Sequence, residues 1–359
     1  MTVETLTGET PDSMRQHLNT MFVTTEGAWL AKDGANIVVE VERREIGRVP
    51  MHMMGGIVCF GRVGMSPPLM GACAEAGVTV SFLTEHGKFL ARVEGPCSGN
   101  VLLRRRQYRV ADDPDAGLVI VRAIVTAKTA NQRAVLRRAL RDHGSSMAET
   151  GRAGLDDAQR RLGDVARRVI EAGSIDVARG HEGDAANAYF GAFDHLIRRD
   201  DDVFRFRGRS RRPPLDACNA LLSFLYAMVG HDCRSALESV GLDPQVGFLH
   251  RDRPGRAGLA LDLMEEFRPV LADRVVLTLI NRQQIGPKDF TYMEGGAVLL
   301  RDDSRKAVLA AYQERKKDEI THPFLNEKVS LGLVPHIQAQ LLARHLRGDL
   351  DGYPPFLWK

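Results

Sequence analysis

The stretch FLARVEGPCSGNVLLRRRQYRVADDPDAGL, Phe89 to Leu118, is where the chain changes character. Its first residues belong to a β-like run over 88–93. Asn100 then offers an N-cap for a short basic helix starting at Val101, because its side chain can accept a backbone N–H of the first turn. The run Ala111-Asp112-Asp113-Pro114-Asp115 reads as a linker. From Leu118 onward apolar residues recur at helical spacing.

Upstream, segments 21–25, 36–41, 57–60 and 78–83 are rich in Val, Ile, Phe and Thr, as strands require. Turn signals at Asp33-Gly34, Gly55-Gly56 and His86-Gly87 separate them, and Asp33-Gly34 is a hairpin signal. One helix is expected over 67–76, entered at Pro67-Pro68 and left before Gly77. Downstream, helices are expected over 118–142, 154–172, 176–198, 215–229, 232–240, 257–283, 303–319 and 335–347. The expected fold class is α+β, a small β-rich N-terminal domain followed by a larger all-α C-terminal domain. The divisions are a flexible arm (1–17), a β-rich domain (18–99), a short helix and linker (100–117) and a helical domain (118–359).

Composition excludes several classes. Of 359 residues 44% are hydrophobic and 26% charged, as in ordinary globular chains rather than disordered ones. The longest largely apolar run, Ala220–Val229, suits a buried helix and is too short to span a bilayer. Residues 1–20 lack an apolar core of the signal-peptide kind, so a cytoplasmic location without membrane contact is expected. The five cysteines are widely spaced with no Cys-x-x-Cys pair, which supports neither a zinc knuckle nor a disulfide framework. Net charge is +3, and arginines outnumber lysines 40 to 9. Arginine suits phosphate recognition, because its planar fork donates two hydrogen bonds to one group. Phosphate-binding loops, serine-hydrolase elbows, His-Glu-x-x-His and dinucleotide fingerprints are all absent.

Three segments carry possible chemistry: Arg179 to Phe190, Val246 to His250, and Gly258 to Pro269. In the third, Leu259, Leu263 and Phe267 form one helical stripe, with Asp262, Glu265 and Glu266 beside it at i, i+3 and i+4. That group is either a solvated acidic face or carboxylates gathered around a cation. His250 is either a hydrogen-bonded loop residue or a ligand in a basic loop with Arg251, Arg253 and Arg256. Glu182, among Gly180, Gly183, Ala185, Ala186 and Ala188, is either a surface residue or a partly buried acid that needs a partner. Two carboxylates and an imidazole would suit Mg²⁺ or Mn²⁺.

Taken in order, these segments resemble the CRISPR-associated adaptation integrases, the Cas-one family of metal-dependent DNA endonucleases. The matching residues are Glu182-Gly183 leading to Tyr189-Phe190, then Leu249-His250, then Asp262-Leu263-Met264-Glu265-Glu266-Phe267-Arg268-Pro269. Lys128 with Asn131-Gln132, Asn219 to Ser223 with Tyr226, and Leu18-Asn19-Thr20 support them. The Leu-Asn-Thr opening and Arg212-Pro213-Pro214-Leu215-Asp216 look most like subtype I-C. The resemblance implies an N-terminal domain that dimerises and a helical domain with Glu182, His250 and Glu265 as metal ligands. It also implies Asp262 as an accessory acid, with Glu266 a competitor of Glu265 on spacing.

It further implies double-stranded DNA as substrate, a homodimer, and a small Cas-two partner. The expected reaction inserts short foreign DNA into a CRISPR array through attack of its 3′-hydroxyl on a repeat-edge phosphodiester. The alternatives are a nuclease that acts without integration and a DNA-binding scaffold that binds no metal. Candidate DNA contacts are Arg251, Arg253 and Arg256, then Arg104, Arg105 and Arg106, and the run Arg205, Arg207, Arg209, Arg211 and Arg212. Phe204 and Phe206 are candidates to stack on bases, and Tyr226 is either a DNA contact or a buried helix tyrosine.

Overall fold

The structure is a computed structural model that describes residues 20–85, 89–95 and 101–358. The arm at 1–17, Leu18-Asn19, the His86-Gly87 turn, Cys97 and the Asn100 cap lie outside the described residues. The chain divides into two compact units, residues 1–98 and 99–359.

The first unit is β-rich. Its elements are β1 (Thr20–Val23), β2 (Trp29–Asp33), β3 (Asn36–Val41), β4 (Arg44–Pro50), β5 (Gly56–Phe60), β6 (Gly64–Met65), helix α1 (Pro67–Glu75), β7 (Thr79–Leu83) and β8 (Phe89–Val93). They form two four-stranded sheets, β1-β5-β7-β8 and β4-β3-β2-β6. Pairing of β1 with β5 and of β5 with β7 is parallel, while β7 and β8 run antiparallel. Leu30, Ile37, Ile57, Cys59, Leu69, Cys73 and Val80 supply the core.

The β2–β3 hairpin forms at the expected place. Asp33 pairs with Asn36, and the turn residues between them are Gly34 and Ala35, of which only Gly34 has positive φ (58°). The β3–β4 hairpin was not expected. Its turn residues, Glu42 and Arg43, both hold positive φ (51° and 63°) without a glycine to announce it. Among the described residues strand β4 pairs only with β3 and buries none of its own, so it carries little apolar alternation.

The second unit is helical: α2 (Val101–Asp112), α3 (Pro114–His143), α4 (Glu149–Ile170), α5 (Ile175–Gly191), α6 (Ala217–Ser239), α7 (Gly258–Met264), α8 (Arg274–Asn281), α9 (Asp302–Lys317) and α10 (Val334–Arg347). It is not all-α, however. Two short antiparallel hairpins, β9 (Phe290–Tyr292) with β10 (Val298–Leu300) and β11 (Glu319–Thr321) with β12 (Lys328–Ser330), interrupt it. Each of these strands is three residues long, too short to show a period of two.

Other boundaries shift for identifiable reasons. The expected linker at 111–115 shrinks to Asp113, whose carboxylate accepts the backbone N–H groups of Asp115 and Ala116, with Pro114 opening α3. Gly230 does not break α6, which runs unbroken through both expected helices. The helix expected over 257–283 divides. Pro269 has no N–H for the carbonyl four residues back, and a wider π-turn over Arg268–Asp273 separates α7 from α8.

Two buried carboxylates organise this region. Glu266 accepts from the Tyr353 hydroxyl (2.6 Å), the Phe356 N–H (2.7 Å) and the Gln338 amide (3.1 Å). Asn131 of α3 donates to the carbonyls of Glu266 and Phe356 and accepts the Trp358 N–H. Glu266 is thus a tether for residues 353–358. Asp273 accepts from Tyr226 (2.8 Å) and Tyr189 (3.0 Å), and burial raises its pKa to about 6 against those hydrogen bonds.

Glu266→Ala should leave two buried donors, the Tyr353 hydroxyl and the Phe356 N–H, unpaired and cost about 3 kcal/mol. In thermal unfolding of the full chain this would read as a fall of roughly 5–10 °C. An unchanged midpoint would show that the tail is held by other contacts. Asp273 binds its proton more tightly folded than unfolded, so its contribution to stability is full below about pH 4 and is lost as pH rises through about 6. The stability difference between wild type and Asp273→Asn should therefore move by about 2–3 kcal/mol against wild type from pH 4 to pH 7. Chemical denaturation at both pH values checks this.

Candidate metal centre

The centre is built where the loop before α7 folds back onto that helix. Asp262, fully buried on α7, accepts the backbone N–H groups of Phe248 (2.6 Å), Leu249 (2.9 Å) and His250 (3.0 Å). Its Oδ1 also lies 2.6 Å from Nδ1 of His250. The named partners of this carboxylate are all donors, so Nδ1 turns an N–H toward Asp262 and Nε2 faces the other way. The fold-back requires two glycines. A Cβ on Gly247 would stand 2.6 Å from the Gly258 backbone and 2.7 Å from Asp262 Oδ2, and one on Gly258 would stand 2.7 Å from the Gln245 carbonyl. Arg179 of α5 ties the same loop down by donating to the Leu249 carbonyl (2.7 Å).

His250 Nε2 points toward Glu265, 3.9 Å from Oε1. The Glu265 side chain is 3% exposed, and its Oε1 forms an ion pair with Arg268 at 3.1 Å. Its Oε2 lies 2.7 Å from the Lys128 ammonium, yet makes no well-directed hydrogen bond. Lys128, on α3, also ion-pairs with Glu182 of α5. Burial opposes charge on Glu265, but Arg268, Lys128 and His250 outweigh it and hold the carboxyl well below the usual carboxylate range.

Three elements thus bring Glu182, His250 and Glu265 to one place, with Asp262 behind the histidine. The ammonium stands between the two glutamates, and among the described residues no three His, Cys, Asp or Glu side chains are drawn together as a ready ion cage. The donor set nonetheless fits a hard divalent cation: two carboxylates, one oriented imidazole, and a buried Oε2 with an unused acceptor. Glu266, the competitor on spacing, faces the tail instead.

The other candidates separate by exposure. Arg251 and Arg253 are exposed beside His250, Arg256 is half-buried, and Arg251 pairs with Asp176 at 2.9 Å. Arg205, Arg207, Arg211 and Arg212 are exposed, as are Arg105 and Arg106, with Arg104 half-buried. Arg209 instead packs inward, donating to Asn219 (2.6 Å) and lying over the Tyr226 ring. The stacking role expected for Phe204 and Phe206 is not supported, since both are buried. Phe204 packs on Phe290 and under Arg199, and Phe206 packs on Phe190 and Phe193. In that segment aromatic residues alternate inward while arginines alternate outward. Tyr226 is half-buried, its hydroxyl on Asp273 and its ring between Arg209 and Arg268. Sequence reasoning gave no site role to Lys128 or Arg268. The available signal was a lysine amid the apolar residues of α3, where a cation has to meet an acid.

Comparison with known proteins identifies the family. Residues 21–314 match the family "CRISPR associated protein Cas1". The chain is 59% identical over 347 residues to CRISPR-associated endonuclease Cas1 2 of Rhodospirillum rubrum, covering 96% of this chain and 100% of that one. It is 55% identical over 346 residues to CRISPR-associated endonuclease Cas1 1 of Chlorobaculum tepidum, again covering 96% and 100%. In fold it is similar to a casposase bound to integration product, with TM-score 0.78, 23% identity, and coverage of 95% of this chain and 94% of that one. It is similar also to a chain of a Cas6-RT-Cas1–Cas2 complex, with TM-score 0.79, 22% identity, and coverage of 95% of this chain and 36% of that one. On the family match and the two relatives of more than half identity, the chain belongs to the Cas1 family of CRISPR-associated proteins.

Proposed function

We propose that the chain is a metal-dependent DNA integrase that joins the 3′-hydroxyl of a short foreign fragment to a phosphodiester at the edge of a CRISPR repeat. The observation that carries this reading is the convergence of Glu182, His250 and Glu265, from separate elements, on one polar pocket around the Lys128 ammonium. We assign Glu182, His250 and Glu265 as the groups that would hold Mg²⁺ or Mn²⁺. When bound, such an ion would polarise the phosphodiester and offset the charge that develops on its oxygens. Asp262 fixes the direction of His250. Arg268 holds Glu265 in place through its other oxygen.

One phosphodiester bond forms as another breaks, so the reaction needs no nucleoside triphosphate. This accords with the lack of a phosphate-binding loop. In this reading Arg251, Arg253 and Arg256, beside His250 in sequence, would meet phosphates near the reacting bond, and the exposed Arg205 and Arg207 would meet them farther along, without reading sequence. We assign the β-rich unit as the homodimer surface, where Trp29, Ile46 and Met53 are exposed. A small Cas2 partner completes the proposed complex, which would act in the cytoplasm. No helix among the described residues is long and apolar enough to cross a membrane. Within the family we place the chain in subtype I-C, on Leu18-Asn19-Thr20 and Arg212-Pro213-Pro214-Leu215-Asp216.

The test is strand joining between a labelled duplex with 3′-hydroxyl ends and a supercoiled plasmid carrying a repeat, with Mn²⁺ or Mg²⁺ and the small partner present. Wild type should transfer label to the plasmid, and His250→Ala and Glu265→Ala should not. Asp262→Asn should lower joining by about 10–100-fold through misorientation of His250. Metal-dependent cutting without joined product would identify a nuclease instead. Joining that survives His250→Ala would place the chemistry elsewhere.

A further inference from the structure

We propose that Lys128 is an internal counter-cation of this centre, which competes with the divalent ion for Glu182 and Glu265 and so sets how tightly that ion is held. The inference rests on the reading that Glu182, His250 and Glu265 bind a divalent cation.

The charge balance of the pocket leads to it. Glu182 and Glu265 bring two negative charges, and Lys128 and Arg268 bring two positive ones. Those four charges cancel. The Lys128 and Glu265 side chains are 5% and 3% exposed, so solvent does little to screen either. A lone buried carboxylate is costly, and two facing each other are costlier, so the ammonium is what lets both glutamates sit charged at close range.

The same ammonium obstructs a second cation. A divalent ion at Glu182 and Glu265 would meet a positive charge in contact with both ligands. The ion takes those oxygens only as the ammonium withdraws and gives up its pairs. That loss weakens binding relative to a neutral side chain of similar size. Arg268 differs, because it contacts Oε1 of Glu265 while the ammonium contacts Oε2, the oxygen with acceptor capacity to spare. The position of Lys128 is also fixed. Its neighbours Val125, Ala127, Thr129, Asn131 and Gln132 are buried on α3, so the backbone cannot retreat to make room. Only the side chain can yield.

The test uses the full chain without DNA and follows free Mn²⁺ by electron paramagnetic resonance during titration. Lys128→Met should bind Mn²⁺ about tenfold or more tightly than wild type. Its unfolding temperature in EDTA should fall below wild type, and Mn²⁺ should raise it by more than it raises wild type's. His250→Ala, as control, should lose the site. Equal or weaker Mn²⁺ binding by Lys128→Met would overturn the proposal, since a purely structural lysine would give that result. Mn²⁺ binding by wild type that is unaffected in His250→Ala, or no binding by either, would overturn the metal-centre reading itself. A second measurement needs no variant. Mg²⁺ should increase reductive methylation of Lys128 in wild type, read by peptide mass spectrometry, as the ammonium leaves the carboxylates. Unchanged labelling at a Mg²⁺ concentration that raises the unfolding temperature would count against the proposal.

Discussion

A single buried carboxylate, Asp262, fixes the geometry on which the rest of the centre depends. Its two oxygens gather three consecutive backbone N–H groups and one imidazole. A loop that would otherwise leave those donors unpaired inside the protein is thereby bound to a helix. The histidine's direction follows from the backbone position rather than from packing around its ring. Glu265, one turn of chain later, inherits its placement from the same helix, so the loop histidine and the following glutamate are set by one anchor.

Behind this anchor lies a second tier that holds the helices in register. Arg268 lies over Tyr226 and reaches Glu265, while Tyr226 and Tyr189 close on Asp273. Glu266 and Asn131 bind the segment through Trp358 to α3. Neighbouring glutamates therefore divide their work. Glu265 faces the pocket and Glu266 faces the tail, because they sit about 100° apart around the chain.

What the sequence made legible follows from this division. The change from strand to helix near residue 100 was visible because the period of the apolar residues changes there. Glu182, His250 and Glu265 stood out only as an ordered set resembling a family, since nothing in their spacing shows that they meet. The hairpins at 290–300 and 319–330 and the turn at Glu42-Arg43 left no signal, being short or lacking glycine. Phe204 and Phe206 misled because arginines interleave them, a pattern that a buried aromatic edge and a base-stacking surface share. Lys128 was visible as a motif residue but not as a site residue, because its role depends on acids 54 and 137 positions away.

The close crossing of Gly247 and Gly258 divides the loop into two parts with different freedoms. The Gly258 N–H donates to the Gln245 carbonyl (2.9 Å), which pins the base of the loop where the strands of chain pass at backbone distance. Residues 251–255 beyond it are exposed, and Gly255 (φ 73°) supplies a bend within them. The tip can therefore change in length, charge or sequence while the histidine at its root stays fixed. Divergence among related chains has a protected place to act here: the charge carried on the tip can drift while the geometry beneath it is inherited unaltered.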